Sequence, residues 1–213
     1  MAETWSESKD KTQKDAEKYV IPYLRKLFGK DYIVKSVEND SSPFAQEMDI
    51  YSGFDIVMRR KDSCVFGVAS RIQPDAGFRS FTIRYERDTG TRTEYEKRVT
   101  AMKCNALRPT YNVHAYVNGS EMSIAVVRSD DLFSYLLEQE ARGTLKVNHT
   151  RSGQNGGATF CYANWSELKR AGIEVWEWHG DISLLSGDGG KAYAADTTSG
   201  FTGSNPVPRT IFF

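Results

Sequence analysis

In the stretch GFDIVMRRKDSCVFGVASRIQ, four polar residues, Arg60-Lys61-Asp62-Ser63, separate two apolar runs, and this short link constrains the fold most. The runs, Gly53 to Arg59 and Cys64 to Gln73, have the length and β-branched content of strands. A parallel neighbour needs a crossover of a dozen or more residues, so a link of four makes the pair an antiparallel hairpin. Asp55 interrupts the first run, and a lone acid at a half-buried strand position needs a partner.

The rest of the chain supplies partners for that hairpin. Between Lys11 and Phe28, apolar residues at Ala16, Tyr19, Val20, Tyr23, Leu24 and Leu27 mark one helical face, with Pro22 predicting a kink and Gly29 the end. Further strands are expected at Tyr32 to Val37, Ser80 to Tyr85, Val113 to Val117, Met122 to Val127, Ala158 to Tyr162 and Ile173 to Trp178. Turn chemistry marks Asn39 to Pro43 as a loop and Asn118-Gly119 as a tight hairpin. Helices are expected over Thr91 to Ala106, from a Ser129-Asp130-Asp131 cap through about Glu140, and over Trp165 to Ala171 behind an Asn164 cap. This order predicts an α/β or α+β domain, a central mixed β-sheet flanked by helices, over residues 1–179. Residues 180–213, rich in Gly, Ser, Thr and Asp, read as an irregular tail ending on the apolar Ile211-Phe212-Phe213.

A chain of 213 residues can bury a substantial core, and 39% apolar residues belong to a globular protein. No run approaches the roughly 18 apolar residues of a membrane span, so no membrane partner is expected. The polar N-terminus lacks the apolar core of a secretory signal, and Cys64, Cys104 and Cys161 have no metal-type spacing; both point to reduced thiols in the cytoplasm. A formal net charge of zero argues against a protein that coats nucleic acid by bulk electrostatics. Its distribution is uneven, however: between Arg59 and Arg108 twelve basic residues face six acidic ones, leaving plus six on the segment that holds the hairpin.

Three constellations carry chemistry, and each has a plainer reading. In QEMDIYSGFDIV, Glu47, Asp49 and Asp55 are carboxylates that a strand end could converge on Mg²⁺, or loop acids that cap turns. In VASRIQ and FTIR, alternation puts Ala69, Arg71 and Gln73 on one face and Thr82 and Arg84 on another. If those strands are neighbours, Arg71, Gln73 and Arg84 line a surface suited to phosphate; otherwise the arginines pair with Glu86 and Asp88 at a sheet edge. In TEYEKR, Glu94 and Lys97 share a helical face, as a surface ion pair or as an acid and an ammonium aimed at the sheet. His114, His149 and His179 are isolated in sequence and form no motif, SGQNGG reads as a hairpin tip, and Trp176 and Trp178 read as packing residues.

An N-terminal helix, an Asp-bearing strand GFDIV that turns back into VFGVASRIQ, and a downstream series YNVHAYV, MSIAVVRSDDLFSYL and ATFCYANWSELKRAGIEVW together resemble the PD-(D/E)xK nuclease superfamily. EMDIYSGFD, ASRIQ, FTIR and TEYEK are similar to phage-type proteins, and the likeness covers roughly residues 10 to 179. The resemblance implies a restriction-endonuclease-like fold with Asp55 as the first metal-binding acid. Its second acid and lysine fall near Ala69 and Arg71, which cannot serve: alanine offers no oxygen, and arginine is a poor proton acceptor.

Members of the superfamily move the acid or lysine onto a neighbouring helix. On that pattern Glu94 and Lys97 are the migrated pair and Gln73 a neutral oxygen donor. The resemblance thus implies a Mg²⁺-dependent DNA nuclease, with Asp55, Glu94, Lys97 and Gln73 as catalytic residues and Asp55, Glu94 and Asp49 as metal ligands. Arg71, Arg84, Arg59, Arg60 and Lys61 would grip phosphates. The alternatives are a DNA-binding module without cleavage and a phage-type factor that engages a protein partner through the tail; a homodimer is compatible with each.

Overall fold

The computed structural model describes residues 14–29, 31–37, 53–61, 64–75, 77–87, 89–150 and 157–185. The N-terminal helical stripe forms as its spacing demands, burying Ala16, Val20, Leu24 and Phe28. Pro22 shapes it: a π turn over Ala16–Val20 precedes helix α1, Ile21–Phe28, with Pro22 in the first turn of α1. Proline has no N–H and its ring crowds the carbonyl four residues back, so widening the preceding turn satisfies the ladder. Ile21 N–H reaches Ala16 O, five residues back. Gly29, at φ +84°, then ends the helix.

Strands β1 (Tyr32–Ser36), β2 (Ile56–Arg60) and β3 (Val65–Pro74) form an antiparallel meander, with Ile56 opposite Val68 and Arg59 opposite Val65. The expected hairpin is therefore present. β3 next pairs in parallel with β5 (Tyr111–Asn118), Val68 facing Tyr111 and Arg71 facing His114. A parallel neighbour needs a long crossover, and here it consists of β4 (Ser80–Arg87) and helix α2 (Glu94–Lys103). β5 turns tightly through Gly119-Ser120 into antiparallel β6 (Glu121–Arg128), with Asn118 opposite Glu121. Beyond helix α3 (Ser129–Ala141), strands β7 (Val147–Thr150) and β8 (Ala158–Asn164) and helix α4 (Trp165–Arg170), strand β9 (Val175–Asp181) pairs with β6. The large sheet runs β1-β2-β3-β5-β6-β9, and a small sheet runs β4-β8-β7.

Two cores lie on opposite faces of the six-stranded sheet. On one, Tyr23, Leu24 and Phe28 pack on Ile56, Met58, Tyr111, Val113, Ile124 and Trp176. On the other, Phe81 and Ile83 of β4, Tyr95 of α2, Phe133 and Leu136 of α3 and Trp165 of α4 cover Tyr116, Ala125 and Val127. β5 and β6 are buried on both sides, which suits the apolar run of β6 and obliges the buried Asn112 and His114 of β5 to find hydrogen-bond partners. The protein has the expected mixed α+β architecture, a central mixed sheet flanked by helices, with the small sheet completing one layer.

Several local expectations change. β3 and β4 are not neighbours in one sheet, because β4 lies over the sheet and pairs with β8. Ser129 does not cap α3: Arg128 occupies the cap position, and the Ser129 hydroxyl accepts from Asn112 Nδ2 at 2.7 Å. β7, too polar to register as a strand, pairs with β8 across the SGQNGG stretch, most of which lies outside the described residues. Past residue 179, β9 continues to Asp181, and Leu185, in a 3₁₀ turn, is still part of the core. The Asn39 to Pro43 loop and the chain beyond Leu185 lie outside the described residues. Among the described residues no disulfide joins Cys64, Cys104 or Cys161, and no helix is long and apolar enough to cross a membrane.

Candidate functional site

Two glycines bring Asp55 to its place. Gly53 has φ +61°, and a Cβ there would lie 2.3 Å from Arg98 Nη2. Only a bare backbone allows the guanidinium to cross here, where it donates to Gly53 O at 2.9 Å. Gly67 plays a matching part under the next side chain, since a Cβ there would fall 2.4 Å from the buried ring of Phe54. With Phe54 seated, Asp55 donates its N–H to Val68 O at 3.0 Å and accepts from Val37 N–H at 2.9 Å. Its Oδ2 then accepts the Ser70 N–H at 2.5 Å and the Ser70 hydroxyl at 3.3 Å. The carboxylate thus extends the β2–β3 ladder where the backbone of β2 has ended.

Helix α2 approaches from above. Thr93 and Glu96 form a reciprocal capping box, and Thr93 Oγ1 also donates to Tyr85 O at 3.0 Å, fixing the helix start against β4. Glu94 therefore stands in the first turn, with Lys97 and Arg98 three and four residues on and so on the same face. Glu94 Oε2 meets Arg71 Nη2 of β3 at 3.3 Å. Arg71 and Arg84 come from different sheets but share one aromatic platform: their guanidinium carbons lie 5.3 and 5.6 Å from the Phe160 ring centroid. Phe160 on β8 is what brings the two arginines together.

These elements enclose a cleft of about 300 Å³ lined by Gly53, Asp55, Ala69, Ser70, Arg71, Arg84, Arg87, Thr91, Arg92, Glu94, Lys97, Arg98, Asn112 and His114. Among the described residues, six cationic side chains face two carboxylates there, a surplus of four positive charges. Burial lowers the pKa of Arg98, with the charges of Glu94 and Asp55 opposing the shift. Burial also lowers that of Arg84, reinforced by Arg87 and Arg71. His114 is fully enclosed, and burial pushes its pKa well below the ordinary histidine value, so it is neutral; its Nδ1 accepts from Thr82 N–H at 3.1 Å, placing the proton on Nε2.

Of the residues singled out from sequence, Asp55, Glu94, Lys97, Arg71 and Arg84 line this one cleft. Gln73 does not: it sits two residues further along β3, opposite Tyr116. Arg59, Arg60 and Lys61 are at the other end of β2 from Asp55, where Lys61 pairs with Asp31 at 3.2 Å and Arg60 Nη2 contacts Cys64 Sγ at 3.8 Å. Asp49 and Glu47 lie outside the described residues. Among the described residues, no three His, Cys, Asp or Glu side chains gather as a metal-holding group.

Sequence reasoning missed Arg87, Arg92, Arg98, Asn112 and His114 as cleft residues. Strand alternation places Arg87 on the opposite face from Arg84, but a bulge between Arg84 and Glu86 adds one residue and turns Arg87 to the same side. Arg98 had a visible signal, four residues after Glu94, without any indication that it would be buried. His114 could be found only through the β3–β5 register.

No family model matches the chain, and neither does any curated protein or solved structure.

Proposed function

We propose that this protein acts on DNA, gripping the phosphodiester backbone in the basic cleft and hydrolysing it with Mg²⁺ held by Asp55 and Glu94. The observation that carries this reading is that an acid from the start of β2, an acid and a lysine from α2, and two arginines from separate sheets line one cleft. The resemblance to the PD-(D/E)xK superfamily gives the reading its form: the Asp-bearing strand turns back into β3, and the acid and lysine missing from β3 have counterparts on α2.

Two carboxylates are the number Mg²⁺ commonly takes from a protein, its shell being completed by water and substrate phosphate; here Asp55 is engaged by Ser70 and Glu94 by Arg71, contacts that the ion would have to share or replace. When bound, it would polarise the phosphoryl oxygen and acidify a water. Arg71 and Arg84, braced on Phe160, present paired donors to phosphate oxygens and offset charge that builds during attack. Lys97, exposed and lining the cleft, would orient the attacking water. Arg98 holds the Gly53 to Asp55 segment against the helix that carries Glu94.

One observation favours a second reading, a module that binds DNA without cutting it: Glu94 is already paired with Arg71. Plasmid and single-stranded DNA incubated with Mg²⁺, Mn²⁺ or chelator separate the two. On the nuclease reading, cutting requires metal, and Asp55→Asn and Glu94→Gln lower it at least a hundredfold while DNA binding persists. DNA left intact in every metal, yet bound in a salt-sensitive way, leaves the binding module. Absence of binding at low salt removes both readings.

A further inference from the structure

The cleft poses an electrostatic problem for the metal it is proposed to hold. A divalent cation entering without substrate meets a surplus of four positive charges among the described residues. One of the two carboxylates, Glu94, is engaged by Arg71, and the buried guanidinium of Arg98 acts on both acids. The Arg71 contact is a single hydrogen bond at 3.3 Å, longer than the roughly 2.7–2.9 Å of a strong charge-assisted bond. It is therefore a bond that a competing anion can break. The same guanidinium shares the Phe160 platform with Arg84, whose Nε is buried with no hydrogen-bond partner among the described residues. Two like charges over one ring, offset among the described residues by the Glu94 carboxylate, favour an incoming phosphate.

We propose that binding is ordered: the nucleic acid enters first, its phosphate draws Arg71 away from Glu94, and only then does the carboxylate accept the metal. This rests on the reading of the cleft as a phosphodiester site. Arg71, which occupies the position where the superfamily resemblance expects a lysine, is then the gate that keeps metal out of the substrate-free protein. Two ligands coupled in this way raise each other's affinity by the same factor.

The test uses Mn²⁺, read by electron paramagnetic resonance, with the full chain alone and with a short phosphorothioate oligonucleotide that resists cleavage; signal from Mn²⁺ with oligonucleotide alone is subtracted. The expected result is Mn²⁺ affinity about tenfold higher with oligonucleotide, and oligonucleotide affinity by anisotropy about tenfold higher with Mn²⁺. In Arg71→Gln, Mn²⁺ binding to the oligonucleotide-free chain should tighten while oligonucleotide binding weakens. Mn²⁺ bound equally well with and without bound oligonucleotide overturns the ordering while leaving the nucleic-acid reading intact. An oligonucleotide that fails to bind sinks that reading instead, and the variant still decides the gate: unchanged Mn²⁺ affinity in Arg71→Gln overturns it.

Discussion

At the scale of single residues, the cleft depends on the absence of a side chain at position 53. Gly53 and Gly119 have the same φ, +61°, but a Cβ at 119 would meet nothing within 4 Å, whereas at 53 it would strike Arg98. Gly119→Ala should therefore cost backbone strain alone, about 2 kcal/mol. Gly53→Ala should cost about 4 kcal/mol, because it adds the penalty of overpacking against a buried guanidinium. Urea midpoints of the two variants check the difference; equal losses would mean that the Arg98 crossing does not constrain the fold. Asp55 is legible in sequence as an acid that needs a partner, but its partner, the Ser70 N–H, is fixed only where the β2 backbone stops and β3 continues.

At the scale of elements, α2 and β4 are tied to α3 through one carboxylate. Tyr85 and Tyr95 donate their hydroxyls to the two oxygens of Glu140, at 2.6 and 2.7 Å. The bond to Glu140, with burial second, pushes the Tyr85 phenol up from an ordinary value of 10.0 to about 12. The fold binds the neutral phenol, so this tie is fully present below pH 10 and is lost as pH climbs toward about 12. Tyr85→Phe should accordingly lose less stability than the parent between those two values, as read from denaturation midpoints across that range. A parallel decline in both proteins would show that the Glu140 tie contributes nothing there. The elements themselves were largely legible, since the helical stripe, the hairpin and the capping signals are local; β7 was not, because its four residues are exposed and its pairing with β8 is what makes it a strand.

At the scale of the whole molecule, zero net charge conceals an uneven distribution of charge along the chain. The basic segment from Arg59 to Arg108 divides in space: Arg84 and Arg87 face the cleft, while Arg59 to Lys61 lie at the opposite end of β2. Replacing Arg84 or Arg87 by Gln should reduce the slope of log affinity for DNA against log salt by about one each. Replacing Arg59 and Lys61 together should leave that slope unchanged. If the distal pair proves to matter as much as the cleft pair, DNA does not bind where the charges converge.

The sequence by itself determined the hairpin, the order of helices and strands, and the residue types available to a phosphate site, because loop length, apolar period and capping chemistry act over a few residues. It also pointed to Asp55, Glu94, Lys97, Arg71 and Arg84, which do meet. Only the tertiary structure decided that Gln73 stands aside, that β4 leaves the main sheet, and that a bulge swings Arg87 round to Arg84. It alone decided that Arg98 is buried within reach of the charges of two acids. The reason is physical: alternation assigns a side chain to a face of its strand, but what that face meets depends on contacts made across tens of residues.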